Sequence, residues 1–129
     1  MNVTRNALAA VALAAALHAP QGHAADAAAI ETETQMLKTL LTAIEAGNYQ
    51  QFVSSGSADF AKLDRAQFDA VATQLGPRLH AGYQVQRLGD YRQQSYEFSL
   101  WKITFKDGGD DLVGTLNLQG GKVGGFVLR

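Results

Sequence analysis

Apolar residues recur at helical spacing in the first half of the chain. From Ile30 onward they are separated by 7, 3, 1 and 3 positions, which places them on one stripe of a helix and leaves the polar residues on the other side. The stripe consists of Ile30, Leu37, Leu40, Leu41 and Ile44. Gly47 and Asn48 then supply a left-handed stop. The pattern predicts an amphipathic helix from Glu31 to Ala46.

A second helical pattern begins at Asp64, after a short aromatic segment and a serine-rich loop over residues 54–57. The Asp64 side chain is placed to accept a hydrogen bond from the amide of Gln67, and Gln67 to reach back in a capping box. The apolar face predicted to be buried is Phe68, Val71, Ala72 and Leu75. Gly76 and Pro77 are expected to end or sharply bend this helix.

Beyond Ala81 the hydrophobic period changes to two, and glycines separate the segments. Two glycine-rich turns, at residues 107–110 and at Gly120-Gly121, offer the positive φ that tight hairpins need. Short connections make consecutive strands antiparallel, and the preceding helices must cover the apolar face of the sheet. The predicted fold is therefore α+β, with N-terminal helices on a four-stranded antiparallel meander. Its strands are Tyr83–Leu88, Ser95–Lys106, Asp111–Gln119 and Lys122–Leu128.

The strand from Ser95 to Lys106 changes its apolar face at Leu100. Glu97, Ser99, Trp101, Ile103 and Phe105 share one side, and Tyr96, Phe98, Leu100, Lys102, Thr104 and Lys106 share the other. Either a bulge near Leu100 and Trp101 restores one continuous core face, or the strand is regular. In a regular strand Glu97 and Ser99 point inward and an apolar patch faces outward. We favour the bulge.

The N-terminus has the pattern of a secretory signal peptide. Arg5 precedes an 11-residue apolar run, Ala7 to Leu17. A helix breaker follows the run, and cleavage after Ala24 would have small residues at positions −3 and −1. A membrane anchor would need about 20 apolar residues, so the run is too short to span a bilayer. We expect cleavage near Ala24, a single mature domain over 25–129, no membrane span, and a periplasmic or secreted location.

Composition excludes several classes of function. With Arg5 removed, the formal charge falls from −1 to −2, and no basic stripe is present, so nucleic acid is not an expected partner. The chain has no cysteine, and His80 is the one histidine outside the predicted signal. Thiol catalysis and zinc sites are therefore not expected, and we predict no metal and no cofactor.

Two glycine-rich segments could suggest a phosphate-binding loop and a calcium-binding loop, but neither segment matches the required pattern. The segment 120–125 has no Ser or Thr after Lys122 and no following helix, so it is interpreted as a hairpin turn and a bent strand rather than a phosphate loop. The acidic segment 107–111 lacks alternating oxygen ligands and a final Glu, so it is interpreted as a hairpin tip rather than a calcium loop.

The whole mature pattern resembles the nuclear transport factor 2-like superfamily, whose fold is a cystatin-like cone. The resemblance lies in a first helix ending at residues 46–49, a second ending in Leu75-Gly76, and hairpins over 101–105 and 112–116 that close on 121–126. Within the superfamily it is closest to small secreted domains of unknown function. The resemblance implies helices packed on a strongly curved sheet, and it constrains function little, since members include isomerases, dehydratases and binding modules.

Three functional hypotheses follow. The first is a non-catalytic module that binds a small apolar ligand or self-associates through its sheet as a homodimer. Its candidate pocket residues are Tyr49, Phe52, Phe68, Tyr83, Trp101 and Phe105. The second, implied by the resemblance, is an isomerase or dehydratase of the ketosteroid isomerase type, with Glu97 as base and Tyr83 or Tyr96 as hydrogen-bond donor. The third is an interaction module that binds a protein partner in the envelope.

Overall fold

The computed structural model describes residues 6–129, with side chains over residues 26–129. The predicted signal peptide, residues 1–24, lies outside the range with described side chains, and its cleavage stays a prediction. The chain divides into two compact units, 1–32 and 33–129. The second unit holds the core and every site discussed below.

Three α-helices and a 3₁₀ turn precede four strands in the described chain. The helices are α1 (Asn6–Ala46), α2 (Tyr49–Ser54) and α3 (Arg65–Ala81), and the 3₁₀ turn is Phe60–Lys62. The strands are β1 (Tyr83–Gln93), β2 (Tyr96–Phe105), β3 (Leu112–Gln119) and β4 (Lys122–Leu128). They form one curved, unclosed antiparallel sheet in the order β1-β2-β3-β4. The α+β meander expected from the sequence is confirmed.

The core lies between the helical layer and the inner face of the sheet. From the helices it takes Leu37, Leu40, Leu41, Ala43, Ile44, Phe52, Val53, Phe68, Leu75 and Leu79, and from the strands Trp101, Ile103, Phe105, Leu116 and Val123. The predicted stripe of α1 is therefore buried from Leu37 onward, whereas Ile30 is exposed. The helix ends where predicted, with Gly47 at φ 64°.

Helix α3 differs from the prediction at both ends. Asp64 caps it by accepting from the amide of Ala66 at 3.2 Å, one residue earlier than the Gln67 amide that was expected. Pro77 does not end the helix, which continues to Ala81. Leu79, beyond the proline, is fully buried, so its packing offsets the hydrogen bond that Pro77 cannot make.

The prediction of a bulge in β2 is wrong, because the extra residue lies in the neighbouring strand β1. The register between β1 and β2 shifts between Arg87 and Gly89, whereas β2 pairs with β3 without a shift. Strand β2 is regular, and its buried face consists of Ser99, Trp101, Ile103 and Phe105. Glu97 continues this face but is exposed, because β1 and β2 continue as a hairpin beyond the core.

Candidate functional site

An apolar groove lies between the edge strand β4 and the helical segments that precede the sheet. Its volume is about 270 Å³, and most of its lining is apolar. The lining residues are Ile44, Phe52, Phe60, Leu63, Gln67, Phe68, Val71, Phe126, Val127 and Leu128. The groove is slightly smaller than most drug-sized ligand pockets, so its size suits a small apolar molecule or one large side chain.

Phe52 is the centre of the aromatic cluster that forms the floor of the groove. Its ring centroid lies 5.2 Å from that of Phe60, 5.1 Å from Phe68 and 6.3 Å from Phe126. These four rings come from α2, the 3₁₀ turn, α3 and β4, so the groove exists only once all four elements have packed. Tilted ring contacts at such distances are favourable beyond the area they bury.

The 3₁₀ turn is held against the groove by a glycine and a tyrosine. A Cβ at Gly56 would lie 2.1 Å from Cδ1 of Phe60, so only glycine leaves room for that ring. The Tyr49 hydroxyl donates to the carbonyl of Leu63 at 2.6 Å, which fixes the far end of the turn. Tyr49 also packs edge-on against Phe68 at 5.7 Å.

Charged side chains on the rim pair with one another. Lys62 Nζ lies 3.2 Å from Asp59 Oδ1, and Arg65 Nε lies 3.7 Å from Asp69 Oδ2. All four side chains are more than half exposed, so these pairs contribute little to stability. Together with Asp64, which caps α3, they give this side of the groove three acidic and two basic side chains, a net charge of −1.

The structure separates the six aromatic residues that the sequence suggested as pocket candidates. Phe52 and Phe68 line the groove, and Tyr49 supports it from behind. Trp101 and Phe105 are buried in the core and do not reach the groove. Tyr83 lines a different, shallow depression with Lys38, Gln84 and Val85.

Several groove residues were not singled out from the sequence. Phe60 and Leu63 belong to a segment without hydrophobic periodicity, and Phe126 and Leu128 were interpreted as strand residues only. Val71 was expected to be buried on α3, but it is 39% exposed and borders the groove. The sequence therefore places Val71 on the apolar face with Phe68, but it does not show that this part of the face borders a groove.

The candidate catalytic residues are not brought together. Glu97 is exposed, and its Oε1 accepts a hydrogen bond from Arg92 Nη2 at 2.6 Å. Tyr96 is about half exposed on the opposite face of β2, at the tip of the hairpin. Tyr83 lies at the other end of β1, paired with Phe105, where burial first and the charge of Glu45 second raise its pKa.

Two arginines tie the sheet to the helices by ion pairs. Arg87 Nε donates to Glu33 Oε2 at 3.0 Å, and its Nη2 donates to Asp90 Oδ2 at 3.1 Å. Arg78 stacks over the Phe105 ring, with Cζ at 3.9 Å from the ring centroid, and its Nε donates to Asp107 Oδ2 at 2.7 Å. Arg78 therefore fastens the end of α3 to the turn between β2 and β3.

The outer face of the sheet carries several apolar residues, of which Tyr91 and Val113 are exposed among the described residues. Tyr91 stacks on Phe98 with ring centroids 5.1 Å apart, and Tyr91 is 41% exposed. Leu100 and Val113 lie further along the same face. This is the sheet surface to which the self-association considered from the sequence refers.

Fold and groove together define a small α+β domain with an apolar groove beside an edge strand. No protein-family model matches the chain, and no curated protein matches it. Among solved structures, it is similar to an uncharacterized cystatin-fold protein from Novosphingobium aromaticivorans, with a TM-score of 0.39 and 12% sequence identity. That match covers 74% of this chain and 95% of the other.

The described part of the chain contains neither a membrane-spanning helix nor a cluster of metal-binding side chains. Within it, no helix is long and apolar enough to cross a membrane. Over the same residues, no group of three or more His, Cys, Asp or Glu side chains converges as a metal site would require.

Proposed function

We propose that this protein is a non-catalytic binding module whose groove takes an apolar ligand. The observation that carries the proposal is the open groove with its floor of Phe52, Phe60, Phe68 and Phe126. A partly open apolar site of this kind is the usual form of a small-molecule pocket. Gln67 supplies the one polar side chain in the lining, so binding would depend mainly on apolar burial.

We also propose that the module acts outside the cytoplasm. The support for this lies in the N-terminal sequence, where Arg5, the apolar run and Ala24 have the order of a signal peptide. The assignment to the nuclear transport factor 2-like superfamily is likewise a proposal, supported by the order of helices and meander strands.

The isomerase hypothesis loses its main support. It required Glu97 inside the cone near a tyrosine hydroxyl, where burial would raise its pKa toward the range useful for proton transfer. Glu97 is instead paired with Arg92 at the surface, away from the apolar groove. The small depression that Glu97 does line, about 100 Å³ in volume, holds two further carboxylates, Glu33 and Asp90, and no tyrosine.

Self-association through the sheet is a second candidate function, favoured by the apolar outer face around Tyr91 and Phe98. If this face is an interface, a Tyr91→Glu variant should shift the protein toward the monomer, because it buries a charge at the contact. Sedimentation equilibrium of the wild type and the variant measures this. A wild-type protein that stays monomeric at high concentration would contradict the candidate.

The groove is tested with a neutral apolar dye, N-phenyl-1-naphthylamine, whose fluorescence rises when it leaves water. We expect saturable binding to the wild-type protein. Val71→Trp places a large ring over the groove and should weaken binding about tenfold or more, since it fills the space that the dye would use. Circular dichroism and thermal unfolding check that the variant folds.

Val113→Trp is the matched variant, because Val113 is 40% exposed and Val71 is 39% exposed. It lies on the outer face of the sheet and therefore reports dye bound there. Loss of binding in Val71→Trp alone supports the groove. Loss in Val113→Trp alone, or no saturable binding to the wild type, contradicts it. Native mass spectrometry of protein purified from its own host would then show which small molecule, if any, is retained.

A further inference from the structure

The free edge of β4 borders the apolar groove, and its hydrogen-bonding groups have a defined direction. Val113 and Arg129 exchange two backbone hydrogen bonds, each 2.9 Å long. Because bonded and non-bonded pairs alternate in an antiparallel ladder, the next bonded pair is Thr115 with Val127. The N–H and C=O groups of Phe126 and Leu128 therefore point away from β3, toward the open side of the sheet.

Residues 55–57 of the chain already form backbone hydrogen bonds with the first part of the β4 edge. The amide of Val123 donates to the carbonyl of Ser55 at 3.1 Å, and the amide of Ser57 donates to the carbonyl of Val123 at 2.9 Å. Gly56 thus pairs with Val123 as a short parallel bridge. Among the described residues, no backbone group continues this pairing at Phe126 and Leu128. The edge accepts a strand at one end and is free at the other.

The two edges of the sheet differ in how they are protected. Strand β1 carries Arg87, Asp90 and Arg92 and a bulge at Leu88, which are common devices against unwanted strand pairing. Strand β4 has a bulge at Gly124, but its sequence holds no charged residue from Val123 to Leu128. The protection is therefore missing where the backbone groups are free.

Side chains and charge indicate what kind of segment would fit. Phe126 and Leu128 turn their side chains to the groove, so a strand added beside them would place one of its side chains over the aromatic floor. At the 3₁₀ turn and the start of α3, Asp59 pairs with Lys62 and Arg65 pairs with Asp69, and Asp64 leaves this side of the groove with one net negative charge. The apolar lining of the groove and the uncharged strand beside it offer no partner to a charged side chain, so an uncharged segment fits the site.

We propose that β4 and the groove together bind an extended, uncharged peptide segment of a partner protein by strand addition. The peptide backbone pairs with Phe126 and Leu128, and one large apolar side chain enters the groove. Backbone pairing supplies affinity in this mode, and the pocket for the side chain supplies specificity. The inference rests on the proposed function in using the same groove, and it adds the edge of β4 as the second half of the site.

The experiment starts from a phage-displayed library of random heptapeptides selected against the whole protein. We expect enriched sequences with an uncharged centre, β-branched residues and one aromatic or large aliphatic residue. The enriched peptide is synthesised, and its affinity is measured by isothermal titration calorimetry. If no sequence is enriched, or if the enriched sequences carry charges at the centre, the proposal is overturned.

Leu128→Pro tests the role of the backbone. Proline removes the outward N–H of Leu128 and obstructs an added strand, yet it leaves the bonds between β3 and β4 in place. We expect the peptide affinity to fall about tenfold or more, as the loss of a buried hydrogen bond predicts. Leu128→Ala is the matched control, because it removes side-chain atoms and keeps the N–H, and it should weaken binding less than Leu128→Pro. Equal affinities of the proline and alanine variants would contradict strand addition.

Amide hydrogen exchange gives an independent measurement in the wild-type protein. The amides of Phe126 and Leu128 should exchange faster than that of Val127 in the free protein, and should become protected when the peptide binds. Peptide binding without this protection would overturn the proposal. The dye assay separates the two hypotheses, because dye bound in the groove without any selected peptide leaves the binding module intact and removes only the strand-addition site.

Discussion

Ser99 is a polar residue in the core, and its contacts lead to a quantitative prediction. Its Oγ accepts a hydrogen bond from Trp101 Nε1 at 2.8 Å and donates to the carbonyl of Leu116 at 3.3 Å. Ser99 is 3% exposed and Trp101 is 2% exposed, so water cannot replace these bonds without a rearrangement. The serine side chain is therefore the partner that allows the indole N–H to be buried.

Removing this partner should be costly. In Ser99→Ala the indole N–H stays buried without an acceptor, and such a group typically costs about 1–3 kcal/mol. The substitution removes one oxygen atom only, so the contribution of a cavity is small. We expect the free energy of unfolding to fall by about 1–3 kcal/mol, a large part of the stability of a small domain.

A double-mutant cycle isolates the hydrogen bond. Trp101→Phe removes the N–H donor and is itself destabilising, because the phenyl ring does not fill the space of the indole. In that background Ser99→Ala no longer strands a donor, so its cost should fall by about 1–2 kcal/mol. The control Ser54→Ala affects an exposed serine that donates only to the carbonyl of Gln51, and it should change stability by less than about 0.5 kcal/mol.

The measurement is urea unfolding of the four proteins in the cycle, followed by far-UV circular dichroism. Trp101 is the single tryptophan of the chain, so its fluorescence gives a second probe for the variants that retain it. The reasoning is refuted if Ser99→Ala costs the same in the wild-type protein as in the Trp101→Phe background, to within about 0.5 kcal/mol.

Three further predictions concern the core, the turn between β2 and β3, and the N-terminus. Leu40→Ala and Phe68→Ala should each lower the free energy of unfolding by about 2–5 kcal/mol, and a loss below about 1 kcal/mol in urea would contradict their core positions. The hydrogen bond from Arg78, then that from the Gly109 amide, hold the pKa of Asp107 below its ordinary value of 3.8. A lowered folded pKa means that this stabilisation is present above the ordinary pKa and is lost as the pH falls through the folded pKa. The stability difference between wild type and Asp107→Asn should therefore shrink below about pH 4, and a difference that grows on acidification would contradict the pairing. Exported protein should begin at Ala25 or Asp26, and an intact mass equal to the full 129 residues would contradict cleavage.

The elements that depend on local pattern could be predicted from the sequence. The first helix ends at Ala46, and the predicted bounds of the last three strands differ from the observed ones by one residue at most. In these segments, the glycine turns and the hydrophobic period agree with the tertiary packing, so local reasoning was sufficient. The short helix α2 was missed because six residues are too few to show a helical period.

The sequence-based predictions are wrong where tertiary packing, rather than local sequence preference, determines the structure. Strand β1 was expected to end at Leu88 but continues to Gln93, because its last residues pair with β2 and Tyr91 stacks on Phe98. The turn that follows uses Gln94 and Ser95 at positive φ, and neither is a typical residue for that conformation. No local signal therefore marked the hairpin.

The burial of residues along β2 also depends on packing that the sequence pattern does not show. Glu97 and Ser99 were interpreted together as polar residues on a face that should have been apolar, and a bulge in β2 would have turned both outward. The structure separates them instead: Ser99 is buried with Trp101, whereas Glu97 lies beyond the core and pairs with Arg92. Alternation along one strand cannot show where the covering layer stops, since that depends on the lengths of neighbouring elements.

The groove could not be predicted as a site, although Phe52 and Phe68 are among the pocket candidates, because four separate elements contribute its floor and no local pattern shows which of them meet. One property of it was nevertheless present in the sequence: residues 123–128 form an uncharged strand at the end of a meander. In the structure this strand lies at an edge of the sheet, and an edge strand without charge requires an explanation that a central strand would not. That explanation becomes specific in the folded chain, because the free backbone groups of Phe126 and Leu128 border the apolar groove. The uncharged edge strand and the apolar groove are formed by separate segments of the sequence. Their adjacency in the folded chain is what indicates a binding site.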